Sequence, residues 1–173
     1  MSKATDSKIE IQPGDITQLD VDAIVNAANA QLRPGGGVCG AIHRAAGRNL
    51  REACAAIGGC ETGHSVHTDG FELKAKYVIH TVGPVWRGGG ENEEALLASC
   101  YRTSLKIAKQ IGARSLAFPA ISTGVYGFPL ERATEIAVET VRALLAEEDA
   151  VELVVFSVFG AEAEAAYRRE LGR

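Results

Sequence analysis

Four short segments of this sequence combine amide, carboxylate, hydroxyl and glycine residues in patterns that suit binding of a polar, anionic ligand. The first is Gly14-Asp15-Ile16-Thr17. Its carboxylate could accept a hydrogen bond from an exocyclic amine, while neighbouring backbone N–H groups contact ring nitrogens. On the residues alone, the favoured interpretation is an ordinary turn in which Asp15 caps its own backbone.

The second segment, Asn26-Ala27-Ala28-Asn29, carries two carboxamides directly after an apolar run that predicts a strand. Carboxamides donate and accept hydrogen bonds, which suits the hydroxyls of a sugar. Such side chains also stabilise turns by bonding to nearby backbone groups. The residues leave both interpretations of Asn26 and Asn29 open.

The third segment is a glycine-rich turn, Gly35-Gly36-Gly37-Val38, that leads into a predicted helix. Glycines let the backbone approach phosphate oxygens, and a helix N-terminus attracts anions. The segment lacks the Lys and Ser/Thr of a P-loop and the spacing of a dinucleotide fingerprint, which argues against kinase-like and Rossmann proteins. Taken alone, a glycine run predicts only a flexible surface loop.

The fourth segment, residues 120–129, lies between a predicted strand and a predicted helix. Ser122, Thr123 and successive backbone N–H groups could form a second anion-binding nest, and Tyr126 could lie against a sugar. Ten residues is long for such a connection, and long loops of this kind are often functional.

The elements that must position these segments alternate along the chain. Apolar runs predict strands at residues 9–11, 23–25, 77–82, 115–119 and 151–158. Helical spacing predicts helices at residues 38–46, 48–57, 93–111, 130–145 and 161–171. This alternation predicts an α/β fold of three α/β/α layers around a mixed, largely parallel sheet, whose ligands bind at the carboxyl ends of the strands. Residues 87–92, with three glycines, are expected to be disordered.

Length and composition limit the possible functions. The 173 residues fit a single domain, 1–173, whose polar start at residues 1–8 is expected to be flexible. A net charge of −4 and a pI near 5.6 argue against general nucleic-acid binding. No signal peptide or membrane-spanning stretch is visible, and four irregularly spaced cysteines predict free thiols in the cytoplasm, with no membrane partner.

The remaining histidines and cysteines do not predict a metal site, and no cofactor is expected. His64 and His67 would lie on opposite faces of an apparent strand. His43, on an apolar helix face, and His80, in an apolar strand, are expected to be structural. Small buried hydrophobic positions are expected for three cysteines: Cys54, Cys60 and Cys100.

In this order and spacing, the four segments resemble the macrodomain family, and within it the MacroD-type ADP-ribose hydrolases. The resemblance runs from about Ile9 to Tyr167. It includes two close matches, Tyr77-Val78-Ile79-His80-Thr81-Val82-Gly83-Pro84 and Phe118-Pro119-Ala120-Ile121-Ser122-Thr123-Gly124-Val125-Tyr126-Gly127. The resemblance implies a macrodomain fold and ADP-ribose as the ligand.

The resemblance also implies a role for each segment. Asp15 and the backbone of Ile16 would bind the adenine, and Phe159 would stack on it. Asn29 would contact the distal ribose, with Asn26 supporting its loop. The diphosphate would lie between two loops, which comprise Gly35, Gly36, Gly37 and Val38 on one side and Ser122, Thr123, Gly124, Val125 and Tyr126 on the other. Tyr126 would also pack against the distal ribose and position the scissile ester.

One position departs from the family pattern. MacroD-type proteins have Gly-Gly-Gly-Gly-Val-Asp-Gly where this chain reads Pro34-Gly35-Gly36-Gly37-Val38-Cys39-Gly40. Cys39 thus replaces the carboxylate that the family implies for the attacking water, and a neutral thiol forms only weak hydrogen bonds. Three interpretations compete: binding without efficient turnover, slower turnover with water activated by the substrate's own phosphate, and catalysis by a Cys39 thiolate at the helix N-terminus. The diphosphate would oppose a thiolate, so the third ranks last, and we adopt the second as our hypothesis.

The expected function is hydrolysis of the ester that links ADP-ribose to acidic protein side chains, or of O-acetyl-ADP-ribose. Asn29, Cys39 and Tyr126 are the expected catalytic residues of a monomer whose partners are ADP-ribose, O-acetyl-ADP-ribose and ADP-ribosylated proteins. The alternative is a non-catalytic reader of ADP-ribosylated proteins, and Cys39 separates the two. Binding of poly(A) or other RNA would use the same adenine pocket, but the acidic balance counts against it.

Overall fold

Six strands form one sheet in the computed structural model, which describes residues 3–173. The strands are β1 (Ile9–Pro13), β2 (Ala23–Ala28), β3 (Ser65–Asp69), β4 (Tyr77–Val82), β5 (Ser115–Phe118) and β6 (Leu153–Val158). They lie in the order β1-β6-β5-β2-β4-β3, and only the β3–β4 pair is antiparallel. The mixed, largely parallel sheet predicted from the sequence is confirmed.

Helices cover both faces of the sheet. They are α1 (Lys3–Asp6), α2 (Gly37–Ala46), α3 (Arg48–Ile57), α4 (Glu93–Ile111), α5 (Leu130–Glu147) and α6 (Ala161–Leu171), with a 3-10 turn at Ile16–Gln18. Side chains alternate across a strand, so Val25 and Ile79 pack in the larger core with α4, α5 and α6. Their neighbours Ile24 and Val78 pack in the smaller core with α2 and α3. The chain therefore has the three α/β/α layers that the sequence predicted.

The second strand is longer than the sequence predicted. β2 continues to Ala28, so Asn26 lies within the strand and only Asn29 follows it. Asn26 pairs with His80 and Ala27 with Thr81 in the parallel ladder with β4. Amides are poor strand formers, and this non-local pairing overrides their local preference.

The expectation that residues 87–92 are disordered is wrong. The Glu93 carboxylate accepts hydrogen bonds from the backbone N–H groups of Arg87 (2.9 Å), Gly89 (2.9 Å) and Glu91 (2.5 Å). Desolvation opposes the charge of Glu93, but these N–H groups outweigh it and hold its pKa below the usual value. A side chain that is 1% exposed therefore orders a loop whose glycine content predicted disorder.

The start of the chain is packed from the first helix onward. Residues 1 and 2 of the stretch expected to be flexible lie outside the described residues. The Asp6 carboxylate accepts hydrogen bonds from Arg142 Nε (2.9 Å) and Nη2 (2.7 Å), which attaches α1 to α5. Across residues 3–173, no helix combines the length and apolar character that crossing a bilayer requires.

Candidate functional site

The sheet order brings the four predicted segments to one edge. β1, β6, β5, β2 and β4 are mutually parallel, so their carboxyl ends meet there. Along this edge residues 14–17 follow β1, Phe159 follows β6, residues 119–129 follow β5, and residues 29–36 follow β2. The Gly14 N–H donates to the Val158 carbonyl at 3.0 Å, which joins the segment after β1 to the end of β6. An elongated ligand could therefore contact all four segments.

Asp15 caps a turn, as the simpler interpretation of its segment predicted. Its Oδ1 accepts hydrogen bonds from the Thr17 backbone N–H (2.9 Å) and hydroxyl (2.7 Å). Its second carboxylate oxygen, Oδ2, has no protein partner within the described part of the chain, and the residue is exposed. Capping by Asp15 is thus compatible with acceptance of a hydrogen bond from a ligand amine.

Two apolar side chains at this edge lack packing partners. Phe159 is 84% exposed, and Val125, at the apex of the loop after β5, is 103% exposed. A single exposed apolar residue is ordinary on a protein surface, but a fully presented aromatic ring beside exposed polar groups suits a planar ligand.

The glycine turn leaves the N-terminus of α2 open. Gly36 is the N-cap and provides no side chain, and the Gly40 N–H donates to its carbonyl at 3.1 Å. In residues 3–173, no acceptor is bonded to the backbone N–H groups of Gly37, Val38 and Cys39. Since a helix N-terminus carries partial positive charge, these donors suit an anion.

Gly40 lets the chain of the glycine turn lie directly against α2. A Cβ at Gly40 would be 2.4 Å from the carbonyl oxygen of Gly35 and 3.0 Å from Arg44 Nη1. The close contact fixes Gly35, which borders the open helix N-terminus. Glycine is therefore required at position 40 by packing, although its place is within a helix.

The loop after β5 presents a second row of donors. Its internal backbone bonds are Thr123 N–H to the Ala120 carbonyl (3.3 Å), Phe128 N–H to the Ser122 carbonyl (2.9 Å) and Gly127 N–H to the Gly124 carbonyl (3.0 Å). Over the described residues, the backbone N–H groups of Ser122, Gly124, Val125 and Tyr126 have no protein acceptor. Such a run of unpaired N–H groups forms an anion-binding nest.

The same loop is held by the residues that follow β4. Ser122 has a positive φ of 66°, and its buried Oγ has no partner within the part of the chain that is described. A Cβ at Gly83 would lie only 2.3 Å from that Oγ. The Trp86 N–H donates to the Tyr126 carbonyl at 2.8 Å. Tyr126 is therefore placed by β4 as well as by β5.

Asn29 and Cys39 meet at one backbone carbonyl. Asn29 Nδ2 donates to the Arg33 carbonyl at 2.8 Å, and the Arg33 N–H donates back to Asn29 Oδ1 at 3.0 Å. The Cys39 thiol also donates to the Arg33 carbonyl, at 3.6 Å. The Arg33 carbonyl therefore links the side chains at positions 29 and 39.

Asn26 lies beneath the site, where it supports other residues and is not open to a ligand. It is 1% exposed, and its Nδ2 is 3.1 Å from His80 Nδ1 and 3.8 Å from Cys39 Sγ. His80 is buried as predicted. His43 is also buried, and its Nδ1 has no partner among residues 3–173.

No grouping of three or more His, Cys, Asp or Glu side chains in the described residues could hold a metal ion. The cysteines are free, and Cys54 and Cys100 are buried as expected, whereas Cys60 is partly exposed. A cleft of about 450 Å³ between α4 and α5 contains none of the predicted site residues. The candidate site is therefore an open, N–H-lined edge of the sheet.

Sequence reasoning missed four contributors to this site: Arg33, Gly40, Gly83 and Glu93. Two of them carried a signal. A glycine within a helical pattern, such as Gly40, often marks close packing, and Gly83-Pro84 ends a strand beside the site. Arg33 acts through its backbone, which the sequence does not identify.

Several known proteins are similar to this chain over nearly its whole length. The Macro domain family model matches residues 25–137. The O-acetyl-ADP-ribose deacetylase of Citrobacter koseri is 55% identical over 169 residues, covering 95% of this chain and 96% of that protein. The ADP-ribose glycohydrolase MACROD2 of Mus musculus is 54% identical over 162 residues, covering 92% of this chain and 34% of that protein. A solved Trypanosoma brucei macrodomain in complex with ADP-ribose has a TM-score of 0.91 and 44% identity, covering 97% of this chain and 71% of that chain.

Proposed function

The chain belongs to the macrodomain family, and we propose that it binds ADP-ribose and hydrolyses an ester at the distal ribose. The substrates would be proteins with ADP-ribose on acidic side chains, O-acetyl-ADP-ribose, or both. The observation that carries the proposal is the pair of unpaired N–H rows that follow the neighbouring strands β2 and β5, at the α2 N-terminus and in the loop after β5. Two such rows at one edge suit a diphosphate. The names of the bacterial and mouse relatives support hydrolysis.

The order of strands gives the ligand a direction. Asp15 Oδ2 and the backbone of Ile16 would bind the adenine at the β1 end, with Phe159 stacked on the ring. The two N–H rows in the middle would hold the diphosphate. The distal ribose would then lie beside Asn29 and Tyr126 at the β2 and β4 end, where the scissile ester would be held.

Cys39 would not activate water as a base. Its proton is directed to the Arg33 carbonyl, and its Sγ has the Asn26 amide as its other polar neighbour. We therefore propose that a phosphate oxygen of the substrate activates the attacking water, with Asn29 and Tyr126 holding the ribose. Turnover by this route would be slower than with a carboxylate at position 39.

The same thiol favours a second candidate function. If hydrolysis requires a carboxylate at position 39, the chain would be a reader that recognises ADP-ribosylated proteins without cleaving them. Both functions use the same adenine and diphosphate contacts. They differ only in turnover.

The deciding experiment measures release of ADP-ribose from a protein modified on glutamate. Wild type is compared with Cys39→Asp and with the isosteric neutral variant Cys39→Ser, and calorimetry gives the affinity for free ADP-ribose. Turnover by wild type and Cys39→Ser alike would support the phosphate-assisted hydrolase. Tight binding with turnover only in Cys39→Asp would indicate a reader. No binding of ADP-ribose would refute the proposed site.

We also propose a reducing compartment, such as the cytoplasm, as the place of action. The support is that all four cysteines are free and that three of them are buried. Activity retained in millimolar thiol and lost on mild oxidation would agree with this location.

A further inference from the structure

A buried polar pair, Asn26 on β2 and His80 on β4, lies beneath the candidate site. Asn26 is 1% exposed and His80 is fully buried, and their side chains meet at 3.1 Å. The other ring nitrogen, His80 Nε2, is 3.0 Å from Thr68 Oγ1. Buried polar groups are expensive unless bonded, so their arrangement is strongly determined.

The protonation of His80 follows from its surroundings. Burial, followed by the nearby His43 and His67, lowers the pKa of His80 to about 3, so the ring is neutral near pH 7. A neutral imidazole has one N–H donor and one acceptor nitrogen. Thr68 Oγ1 donates to the Asp69 carbonyl at 3.0 Å, so it accepts from His80 Nε2–H. Nδ1 is then the acceptor.

An acceptor at Nδ1 determines which way the Asn26 amide faces. Its nitrogen must point towards His80, and the same nitrogen is 3.8 Å from Cys39 Sγ. The opposite orientation would need the other His80 tautomer and would divert the Thr68 hydroxyl from the Asp69 carbonyl. The observed orientation leaves Asn26 Oδ1 buried without a partner among the residues described.

The Cys39 thiol connects the Asn26 amide to the Arg33 carbonyl. With an N–H on one side of Sγ, the thiol proton is directed to the Arg33 carbonyl at 3.6 Å. The Asn29 amide donates to the same carbonyl at 2.8 Å. Contacts therefore run without interruption from His80 through Asn26, Cys39 and Arg33 to Asn29.

We propose that Asn26 and His80 are positioning residues, which fix the side chain at position 39 and, through the Arg33 carbonyl, the amide of Asn29. The assignment rests on the proposed hydrolase function. Neither residue reaches the ligand, because both are buried. Their loss should therefore impair the chemical step and spare the contacts to adenine and diphosphate.

Three variants separate positioning from general stability. His80→Leu removes the acceptor, whereas His80→Gln keeps a group that can accept from Asn26. Cys54→Ala is the matched control, because Cys54 Sγ is 3.7 Å from His80 Nε2 but forms no hydrogen bond with Asn26 in the described residues. We expect His80→Leu to lower kcat about tenfold with KM and the ADP-ribose Kd changed less than about twofold. His80→Gln should recover most of kcat, and Cys54→Ala should stay within about twofold of wild type.

Equal losses in His80→Leu and His80→Gln, or a comparable loss in Cys54→Ala, would overturn the positioning role. A wild type without turnover would remove the hydrolase function instead, and NMR would then decide. The Asn29 side-chain amide resonances should shift in His80→Leu and remain in place in His80→Gln and Cys54→Ala. Unchanged Asn29 resonances in His80→Leu would overturn the proposal whatever the activity.

Discussion

Substitution of Gly40 by Ala tests whether close backbone packing shapes the anion site. The new Cβ would lie 2.4 Å from the Gly35 carbonyl oxygen. That oxygen belongs to the backbone and would have to retreat by about 0.6 Å to reach a separation of 3.0 Å. Since Gly35 borders the open N-terminus of α2, the displacement should weaken the hydrogen bonds that a bound phosphate accepts there.

Two opposing contributions determine the stability of Gly40→Ala. Alanine in a helix interior is favoured over glycine by about 1 kcal/mol. An overpacked side chain costs about 1–3 kcal/mol. We therefore expect the free energy of unfolding to fall by up to about 2 kcal/mol, and ADP-ribose affinity to fall about tenfold if about 1.4 kcal/mol of phosphate contact is lost.

Chemical denaturation and calorimetric titration with ADP-ribose would measure both effects. Ala41→Gly, at the next position of α2, isolates the helix-propensity contribution and should lower the free energy of unfolding by about 1 kcal/mol. A Gly40→Ala protein that is about 1 kcal/mol more stable than wild type, with unchanged affinity, would refute the packing argument.

Two further predictions concern single side chains. Phe159→Ala should weaken ADP-ribose binding by about 5- to 150-fold, the equivalent of about 1–3 kcal/mol of stacking, without changing Tm or the affinity for ribose 5-phosphate; equal ADP-ribose affinity would remove Phe159 from the adenine site. His80 has a pKa of about 3 when folded against about 6.5 when unfolded, so the unfolded state binds more protons between these values. Stability should thus fall as pH drops through that window, by up to about 1.4 kcal/mol per pH unit from this residue, and His80→Gln should flatten the denaturation profile. Parallel profiles for the two proteins would contradict a buried neutral His80.

The sequence predicted the parallel strands well because their apolar runs are local and strong. β3 was harder to predict, since it is a short, largely polar edge strand with the sequence Ser-Val-His-Thr-Asp. Residues 87–92 were misjudged because the group that orders them, Glu93, lies outside the glycine-rich stretch. In both cases the determining contacts are not contained in the segment itself.

The site was predictable in outline, because strand order alone brings segments that follow parallel strands to one edge. Its internal geometry was not. The roles of Gly40 and Gly83 come from close approaches between separate elements. The hydrogen bond that the Cys39 thiol donates to the Arg33 carbonyl depends on the path of the backbone at Arg33. No side-chain pattern encodes that path.

The Glu93 carboxylate competes with any ligand anion for backbone N–H groups at this edge of the sheet. In the loop after β4, three backbone N–H groups are already bonded to the protein's own carboxylate. The N–H groups at the α2 N-terminus and in the loop after β5 have no acceptor in the described residues and are open to an anion. A ligand shifted one strand towards β4 would have to displace Glu93 from its donors, so this carboxylate favours the register centred on β2 and β5.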